Sequence, residues 1–439
     1  MSDALHAVDP VGGVDQPDIA KPRGFGSPYL YYVVFIFFLA NLLATMDRTI
    51  LSILLEPIRK EFSLQDSQVG LLGFAGAIFF ALFGLLIGRL TDTRSRTKLL
   101  AIAIGLFSVG TVMSGMVMNF AQLFLARVAV GVGDAGGIPT KYSLIGDKFR
   151  PEHRASALAL IQSGLGIGAI LGLIIAGVLA QAVGWRMTFV YFGIPGALLA
   201  LTILLTVREP VRGTFESMAV QTAHAPSLGE TIRALRSNQT LMFIVLAYSF
   251  TVFGLQGIGY WVPTLLIRSY HMPIRDVGVV YGTIIGLAFV GGMLVGATIS
   301  SPLLKHDRRW EMWLPGIANF LVTGCYVLAF STSSLAITLT ALGTATFLLG
   351  TILGPASAAI QSTVSSRMRG VAVSITMFVS ALIGQGVGPW AIGYISTQLV
   401  PLYGDGSLKA ALQFTPIALT VGGVLYMIGA RTFHQDRVD

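Results

Sequence analysis

The sequence is dominated by apolar stretches that are long enough to cross a lipid bilayer as helices. Of its 439 residues, 54% are hydrophobic and only 11% are charged, whereas soluble domains are about 25% charged. One crossing takes about 20 residues of helix, and the apolar runs have this length without the alternation of membrane strands. The sequence therefore predicts an all-α integral membrane protein.

Twelve crossings are predicted, and a hydrophilic segment divides them six and six. They cover residues 29–55, 68–90, 98–118, 119–141, 154–182, 186–207, 240–267, 276–301, 311–331, 334–364, 369–398 and 411–431. We expect a disordered cytoplasmic tail at 1–24, an N-terminal bundle at 25–207, a cytoplasmic linker at 208–239, a C-terminal bundle at 240–432 and a second tail at 433–439. The linker is either an ordinary solvated connection or carries a short surface helix, because Leu228, Ile232 and Leu235 share a helical face.

The two halves show signs of internal duplication. At an offset of 216 residues Pro139 matches Pro355, and three glycines of the fifth crossing match three of the eleventh. These glycine pairs are Gly168 and Gly384, Gly172 and Gly388, and Gly177 and Gly393. Many carriers are built from such repeats, so we predict two pseudo-symmetric six-helix bundles.

Basic residues lie mainly on one predicted side of the membrane. With the N-terminus in the cytoplasm, 20 Lys and Arg residues fall on the cytoplasmic side and 6 on the other. The positive-inside rule then places both termini in the cytoplasm and accounts for the net charge of +8 without nucleic-acid binding. The short loops favour a bacterial inner membrane. A single cysteine, Cys325, excludes an intrachain disulfide.

Charges also lie inside two of the predicted crossings. Arg127, Asp134 and Lys141 are seven residues apart in the fourth crossing and so fall near one helical face. The first crossing contains the adjacent pair Asp47 and Arg48. Charges at this depth are costly and face a bundle interior or a wet cavity. The charges of the two aspartates and the two arginines cancel, and the positive charge of Lys141 remains without a counterpart.

We hypothesise that Asp47 and Asp134 carry protons, with Arg48 and Arg127 as their switching partners. The alternative is a static ion-pair network that holds the first and fourth crossings together. Lys141 either attracts an anionic headgroup or extends to the membrane interface. The sequence favours a solvated position for Glu56 at the end of the first crossing.

The second half lacks such charges and offers polar and aromatic side chains. A charged wall facing an apolar, aromatic wall suits a cargo with a charged head and an apolar body. The alternative for each of these side chains is a role in helix packing or in the aromatic belt at the membrane interface. The candidate substrate-binding residues are Lys141, Gln162, Tyr248, Gln256, Tyr260, Trp261, Tyr281, Asn319, Gln361 and Gln385.

The connection between the second and third crossings reads GRLTDTRSRTKLL, from Gly88 to Leu100. It resembles the signature loop of the major facilitator superfamily, in which a glycine precedes an aspartate by four residues and basic residues follow. The resemblance implies a cytoplasmic gate of Gly88, Asp92 and Arg96. Thr93 and Ser95 depart from the pattern, and a plain basic loop is the alternative.

A narrower resemblance covers most of the chain. NLLATMDRTIL, LEPIRKEFSLQDSQVGLL, LARVAVGVGDAGGIPTKYSLIGDKF, GWRMTFVYFGIPG and VREP are similar to the spinster-like branch. Asp134 stands where that family has a glutamate. The resemblance implies proton-linked transport, and the animal members carry sphingolipids or lysophospholipids.

The predicted function is proton-coupled secondary transport of an amphipathic, lipid-like small molecule by alternating access. The alternatives are a permease for a hydrophilic organic anion (a sugar acid or aromatic carboxylate), a drug/proton antiporter, and, from another class, a receptor or channel. No phosphate-cradling Gly-Lys loop or catalytic domain is recognisable, so we predict no enzyme activity and no cofactor or metal. The expected partners are the substrate, protons and membrane lipids, with the chain as a monomer.

Overall fold

The computed structural model describes residues 28–212, 238–364 and 368–436, and these form an almost wholly helical structure. The predicted tail at 1–24 and the surface helix of the linker lie outside the described residues. The last helix continues to Asp436, so the predicted tail at 433–439 begins a few residues too early.

The N-terminal half contains five helical segments. They are α1 (Pro28–Phe62), α2 (Asp66–Thr93), α3 (Arg96–Ser114), α4 (Phe120–Lys148) and α5 (Pro151–Thr206). Ser95 and Asn119 begin α3 and α4 as N-caps, because their side chains accept hydrogen bonds from the backbone N–H groups of Lys98 and Gln122. α5 is broken at Gly184, whose φ of 79° only glycine adopts easily.

Besides a short helix at Ser407–Leu412, the C-terminal half contains seven longer segments. They are α6 (Gln239–Tyr270), α7 (Ile274–His306), α8 (Trp310–Ser331), α9 (Leu335–Ser362), α10 (Arg369–Ser380), α11 (Gly388–Tyr403) and α12 (Thr415–Asp436). A π-helical turn lies inside α7 at Val277–Tyr281, and a π-helical stretch, Ala381–Val387, joins α10 to α11. This stretch contains Gly384 and Gly386 of the predicted eleventh crossing. π-helical turns often mark functional sites.

The helices agree with the predicted all-α fold and are consistent with its twelve crossings. Ten segments of the described chain are long and apolar enough to span a membrane. Two are of double length, 151–206 and 372–433, and the breaks at Gly184 and at residues 404–414 divide each into two. The predicted ends differ most at α1 and α4, which continue from Leu55 to Phe62 and from Lys141 to Lys148. At α1, Glu56 pairs with Arg59 and Lys60 one turn on.

Each half packs as its own bundle, and the bundles meet at one end. Within the N-terminal bundle α1 packs on α5, α3 on α4 and α5, and α2 on α4, while α8, α9 and α12 pack in the C-terminal bundle. Between the bundles α2 meets α11, and α5 meets the start of α7. A Cβ atom on Gly177 would lie 2.9 Å from the Cα atom of Gly278, so this crossing depends on glycine.

A hydrogen bond also joins the two bundles near the start of α2. The Ser67 N–H donates to Thr397 Oγ1 on α11 at 2.9 Å. This end, opposite the α2–α3 connection, is called the closed end.

The break in α5 yields a stability prediction. Gly184→Ala forces an alanine into φ 79°, ψ 168°, which costs about 1–3 kcal/mol, so the melting temperature of the purified protein should fall. Gly166→Ala on the same helix is the control, because its Cβ atom would meet nothing within 4 Å and alanine favours helix. Equal melting temperatures for the two variants would contradict the assignment of Gly184 as the reversal point.

Candidate functional site

A buried ion pair joins α1 to α4. Arg127 Nη1 lies 3.4 Å from Asp47 Oδ2, and both side chains are about 97% buried. Asp47 Oδ1 accepts a hydrogen bond from Thr111 Oγ1 at 2.5 Å. Arg127 also donates to Ser114 Oγ at 3.2 and 2.5 Å and lies over the Phe189 ring. These contacts satisfy both charges inside the bundle, as a buried pair requires.

A second ion pair lies beside the first, on the same two helices. Arg48 Nε donates to Asp134 Oδ2 at 2.8 Å, and a guanidinium Nη2 approaches the same oxygen. The arginine also lies 5.3 Å from the centre of the Phe80 ring. Its side chain is 40% exposed and that of Asp134 is 14% exposed. The second pair is therefore far more accessible than the first.

These two pairs bring together the four charges that the sequence singled out. Asp47 pairs with Arg127 and Asp134 with Arg48, so each aspartate has one arginine from the other helix. Their predicted role in carrying protons stays a prediction. The pairing itself follows because each helix carries two charged residues, and these lie at similar depths in the bundle.

Lys141 does not extend to the membrane interface. Its side chain is 5% exposed, and its ammonium donates to Asn41 Oδ1. Asn41 Nδ2 in turn donates to Ile161 O at 3.0 Å and to Gln162 Oε1 at 2.9 Å. The predicted alternative of an interfacial lysine is wrong, because a polar partner on α1 holds the side chain inside. A lone asparagine in the apolar α1 was the overlooked sequence signal.

A further ion-pair network ties the two bundles at their closed end. Arg268 on α6 donates from Nε to Glu56 Oε2 at 2.6 Å and from its two Nη atoms to Asp66 at 2.9 and 2.7 Å. Ser396 Oγ donates to Asp66 Oδ2 at 2.7 Å. Glu56 is only 2% exposed. The expectation of a solvated Glu56 is wrong, because α1 continues past it and the C-terminal bundle covers it.

Arg96, which the resemblance places in a cytoplasmic gate, makes its ion pairs within one bundle. Arg96 Nε lies 3.1 Å from Glu209 Oε1, and Nη1 pairs with Asp147. Arg96 thus ties α3 to the ends of α4 and α5, and its part in a gate stays a prediction. Gly88 has open space around it, and the side chain of Asp92 is outside the described part of the structure.

Within this cluster, the hydrogen bonds of Glu209 determine whether its carboxyl group is ionised. Burial opposes ionisation, but hydrogen bonds from the Thr97 N–H, Ser95 Oγ and Arg96 outweigh it and lower the pKa of Glu209 to about 2. A lowered pKa stabilises the fold above the unfolded value near 4.5, and this contribution disappears as the pH falls toward 2. Glu209 is therefore ionised at neutral pH.

Three candidate residues of the second half are enclosed by protein. Trp261 is fully buried and donates from Nε1 to Pro389 O at 2.8 Å, and the fully buried Asn319 donates to Thr251 Oγ1 at 2.8 Å. Tyr281 is 4% exposed. Protein encloses these three side chains in this conformation, and their role as substrate contacts stays a prediction.

The remaining candidates are reachable. Tyr260 donates to Val69 O at 2.8 Å across the bundle interface. Tyr248, Gln256 and Gln385 are half-buried, while Gln162 and Gln361 are exposed.

Comparison with known proteins agrees with this architecture. The family model of the Major Facilitator Superfamily matches residues 37–389, so the chain belongs to that superfamily. A solved bacterial homologue of the human lysosomal transporter Spinster, inward-facing and unoccupied, is 26% identical with a TM-score of 0.86. The comparison covers 94% of this chain and 99% of that one.

Two curated relatives are similar over nearly the whole chain. An MFS-type efflux pump of Mycolicibacterium smegmatis is 28% identical over 91% of this chain and 92% of its own length. The sphingosine-1-phosphate transporter SPNS2 of Danio rerio is 26% identical over 90% and 83%. The chain is thus a multi-pass membrane transporter of the superfamily and resembles the spinster-like proteins, as its sequence predicted.

The bundle-bridging arginine yields a prediction about the closed end. Arg268→Gln leaves Glu56 and Asp66 without their shared cation, and removing one partner of a buried pair costs about 3–5 kcal/mol. In a Cys325→Ser background, Val69→Cys places a cysteine at a buried position. We expect this cysteine to react with a membrane-impermeant thiol reagent at least about tenfold faster when Arg268→Gln is also present than when Arg268 is intact.

Arg186→Gln is the matched control for this experiment. Arg186 pairs with Glu61 at the same end, but both residues belong to the N-terminal bundle. Its loss should leave the labelling rate of Val69→Cys unchanged. If both substitutions accelerate labelling equally, Arg268 is not what holds the bundles together.

Proposed function

We propose that this chain is a proton-coupled secondary transporter of an amphipathic, lipid-like small molecule that works by alternating access. The observation that carries the proposal is the pair of Asp–Arg contacts between α1 and α4, one sealed and one open to solvent. Charges inside a membrane segment mark ion pathways and proton relays.

Asp134 is the carboxylate better placed to exchange a proton. The Asp47–Arg127 pair is buried and hydrogen-bonded on several sides, so separating it costs about 3–5 kcal/mol. The Arg48–Asp134 pair is more accessible, with side chains 40% and 14% exposed, so separating it costs less than separating the sealed pair. The Arg48–Asp134 pair therefore separates first, and Asp47 follows only when the bundle itself rearranges.

A change of partner supplies the coupling. A carboxylate in a low-dielectric site stays ionised beside an arginine and takes up a proton once the arginine moves away. If Arg48 leaves Asp134 when cargo binds or when the bundles rock, proton binding and conformation become linked. The conformation described here is inward-facing, provided that the basic α2–α3 connection faces the cytoplasm of a bacterial inner membrane.

The lipid-like character of the cargo is supported by the two walls of the structure. The N-terminal bundle presents the Arg48–Asp134 pair, whereas the reachable candidates of the C-terminal bundle are aromatic or amide side chains. Relatives named spinster and sphingosine-1-phosphate transporter support the same class.

Proton coupling is tested with Asp134→Asn in liposomes that hold a pH-sensitive dye. A lysolipid added to wild-type liposomes should move protons, and Asp134→Asn should reduce this flux at least about tenfold, since one proton across one pH unit supplies about 1.4 kcal/mol. Asp405→Asn, in the Gly404–Gly406 turn, should keep the wild-type flux.

The same variants separate the proposal from a static ion-pair network. A network that only holds α1 against α4 predicts a lower melting temperature for Asp134→Asn in parallel with any lost flux. A proton role predicts that the flux falls far more than the melting temperature does, because a partly exposed pair contributes less stability than a sealed one. Undiminished flux in Asp134→Asn would refute a proton role for this residue.

A drug/proton antiporter is the second candidate, favoured by the similarity to the mycobacterial efflux pump. Cells that express the chain should then extrude ethidium more rapidly than cells that express Asp134→Asn. Extrusion without any lysolipid response would favour this alternative.

A further inference from the structure

Lys141 is a buried cation that, among the described residues, pairs with a neutral amide. It lies on α4 two turns beyond Asp134, is 5% exposed and donates to Asn41 Oδ1. No carboxylate of the described residues lies within ion-pair distance of its ammonium, whereas Arg48 and Arg127 each have an aspartate. The embedded charges of α1 and α4 therefore sum to one positive charge.

An unpaired charge at this position is costly. Buried ammonium groups are ordinarily paired with an acid, because their desolvation otherwise costs several kcal/mol. A helix bundle that needed only packing here would use an apolar side chain. The missing negative charge points to a partner that the chain itself does not supply.

The surroundings of Lys141 are preorganised rather than loose. Both hydrogen bonds of Asn41 Nδ2 go to α5, to Ile161 O and to Gln162 Oε1. This orients the carbonyl oxygen of Asn41 toward the ammonium, which has three donors in all. Gln162 is exposed and uses its oxygen for Asn41, so its NH₂ group remains as a second donor beside the lysine.

We propose that Lys141 and Gln162 form a subsite for one anionic group of the cargo, a phosphate or a carboxylate, which replaces Asn41 as the partner of the ammonium. This inference rests on the proposed function and names the charge of the cargo that the cavity accepts. A phosphate or carboxylate accepts from both donors, as charge-assisted hydrogen bonds do. An uncharged molecule with the same acyl chain lacks this interaction.

The test measures binding to the full chain in nanodiscs of phosphatidylcholine. Three single-chain probes share one acyl length: lysophosphatidic acid carries a phosphate, the fatty acid a carboxylate, and the monoacylglycerol no charge. Lys141→Met should weaken binding of the preferred anionic probe about 10- to 100-fold, the value of one charge-assisted hydrogen bond. The monoacylglycerol should change less than about twofold. The stronger anionic probe identifies phosphate or carboxylate as the recognised group.

Two variants control for position and charge. Lys148→Met removes another lysine of α4, one that donates to Arg208 O at the helix end, and should leave all three affinities unchanged. Lys141→Arg keeps the charge and should retain the preference for the anionic probe over the uncharged one.

A second variant keeps the test decisive if Lys141→Met fails to fold. Gln162→Glu, at an exposed position, places a carboxylate beside Lys141 and should likewise weaken only the anionic probes. Equal losses for charged and uncharged probes, or no loss in either variant, would overturn the subsite while the transport proposal stands. If the wild-type chain binds none of the three probes, both the proposed subsite and the proposed lipid-like cargo are refuted.

Discussion

The arrangement depends on the pairing of opposite charges between α1 and α4 inside a low-dielectric bundle. Neither helix could bury its charges alone, since an isolated ion at membrane depth costs several kcal/mol or more. Together they place Asp47 against Arg127 and Asp134 against Arg48. The same pairing fixes the register of the two helices and leaves one pair open to solvent. One set of side chains thus supplies both helix packing and a charge pair that remains accessible.

A second requirement is a strong contact between the two bundles at the closed end. Arg268 connects α6 to Glu56 and Asp66 of the other bundle, and close glycine contacts bring α5 against α7 nearby. At the far end Arg96 pairs with Asp147 and Glu209 of its own bundle. Among the described residues, the ion pairs between the bundles therefore lie at the closed end.

The sequence predicted most of the fold and the centre of the site, and the reasons are physical. Apolar length determines the crossings, and charge at membrane depth is rare enough to single out Asp47, Arg48, Arg127 and Asp134. The contacts of Arg268 could not be predicted in this way, since they join residues about 200 positions apart at helix ends, where charges are ordinarily solvated. The full burial of Trp261 and Asn319 could not be predicted either, because polar edges on apolar helices serve packing and ligand binding alike.

The most direct test of the account is whether a carboxyl group of this cluster changes protonation when cargo binds. Infrared difference spectra of the nanodisc-embedded protein, with and without lysolipid, report protonated carboxyl groups. The account predicts a change in the protonated carboxyl band that disappears in Asp134→Asn and persists in Asp405→Asn. A spectrum without this band change, or one that Asp134→Asn leaves unaltered, would contradict the claim that the α1–α4 charges exchange partners through a proton.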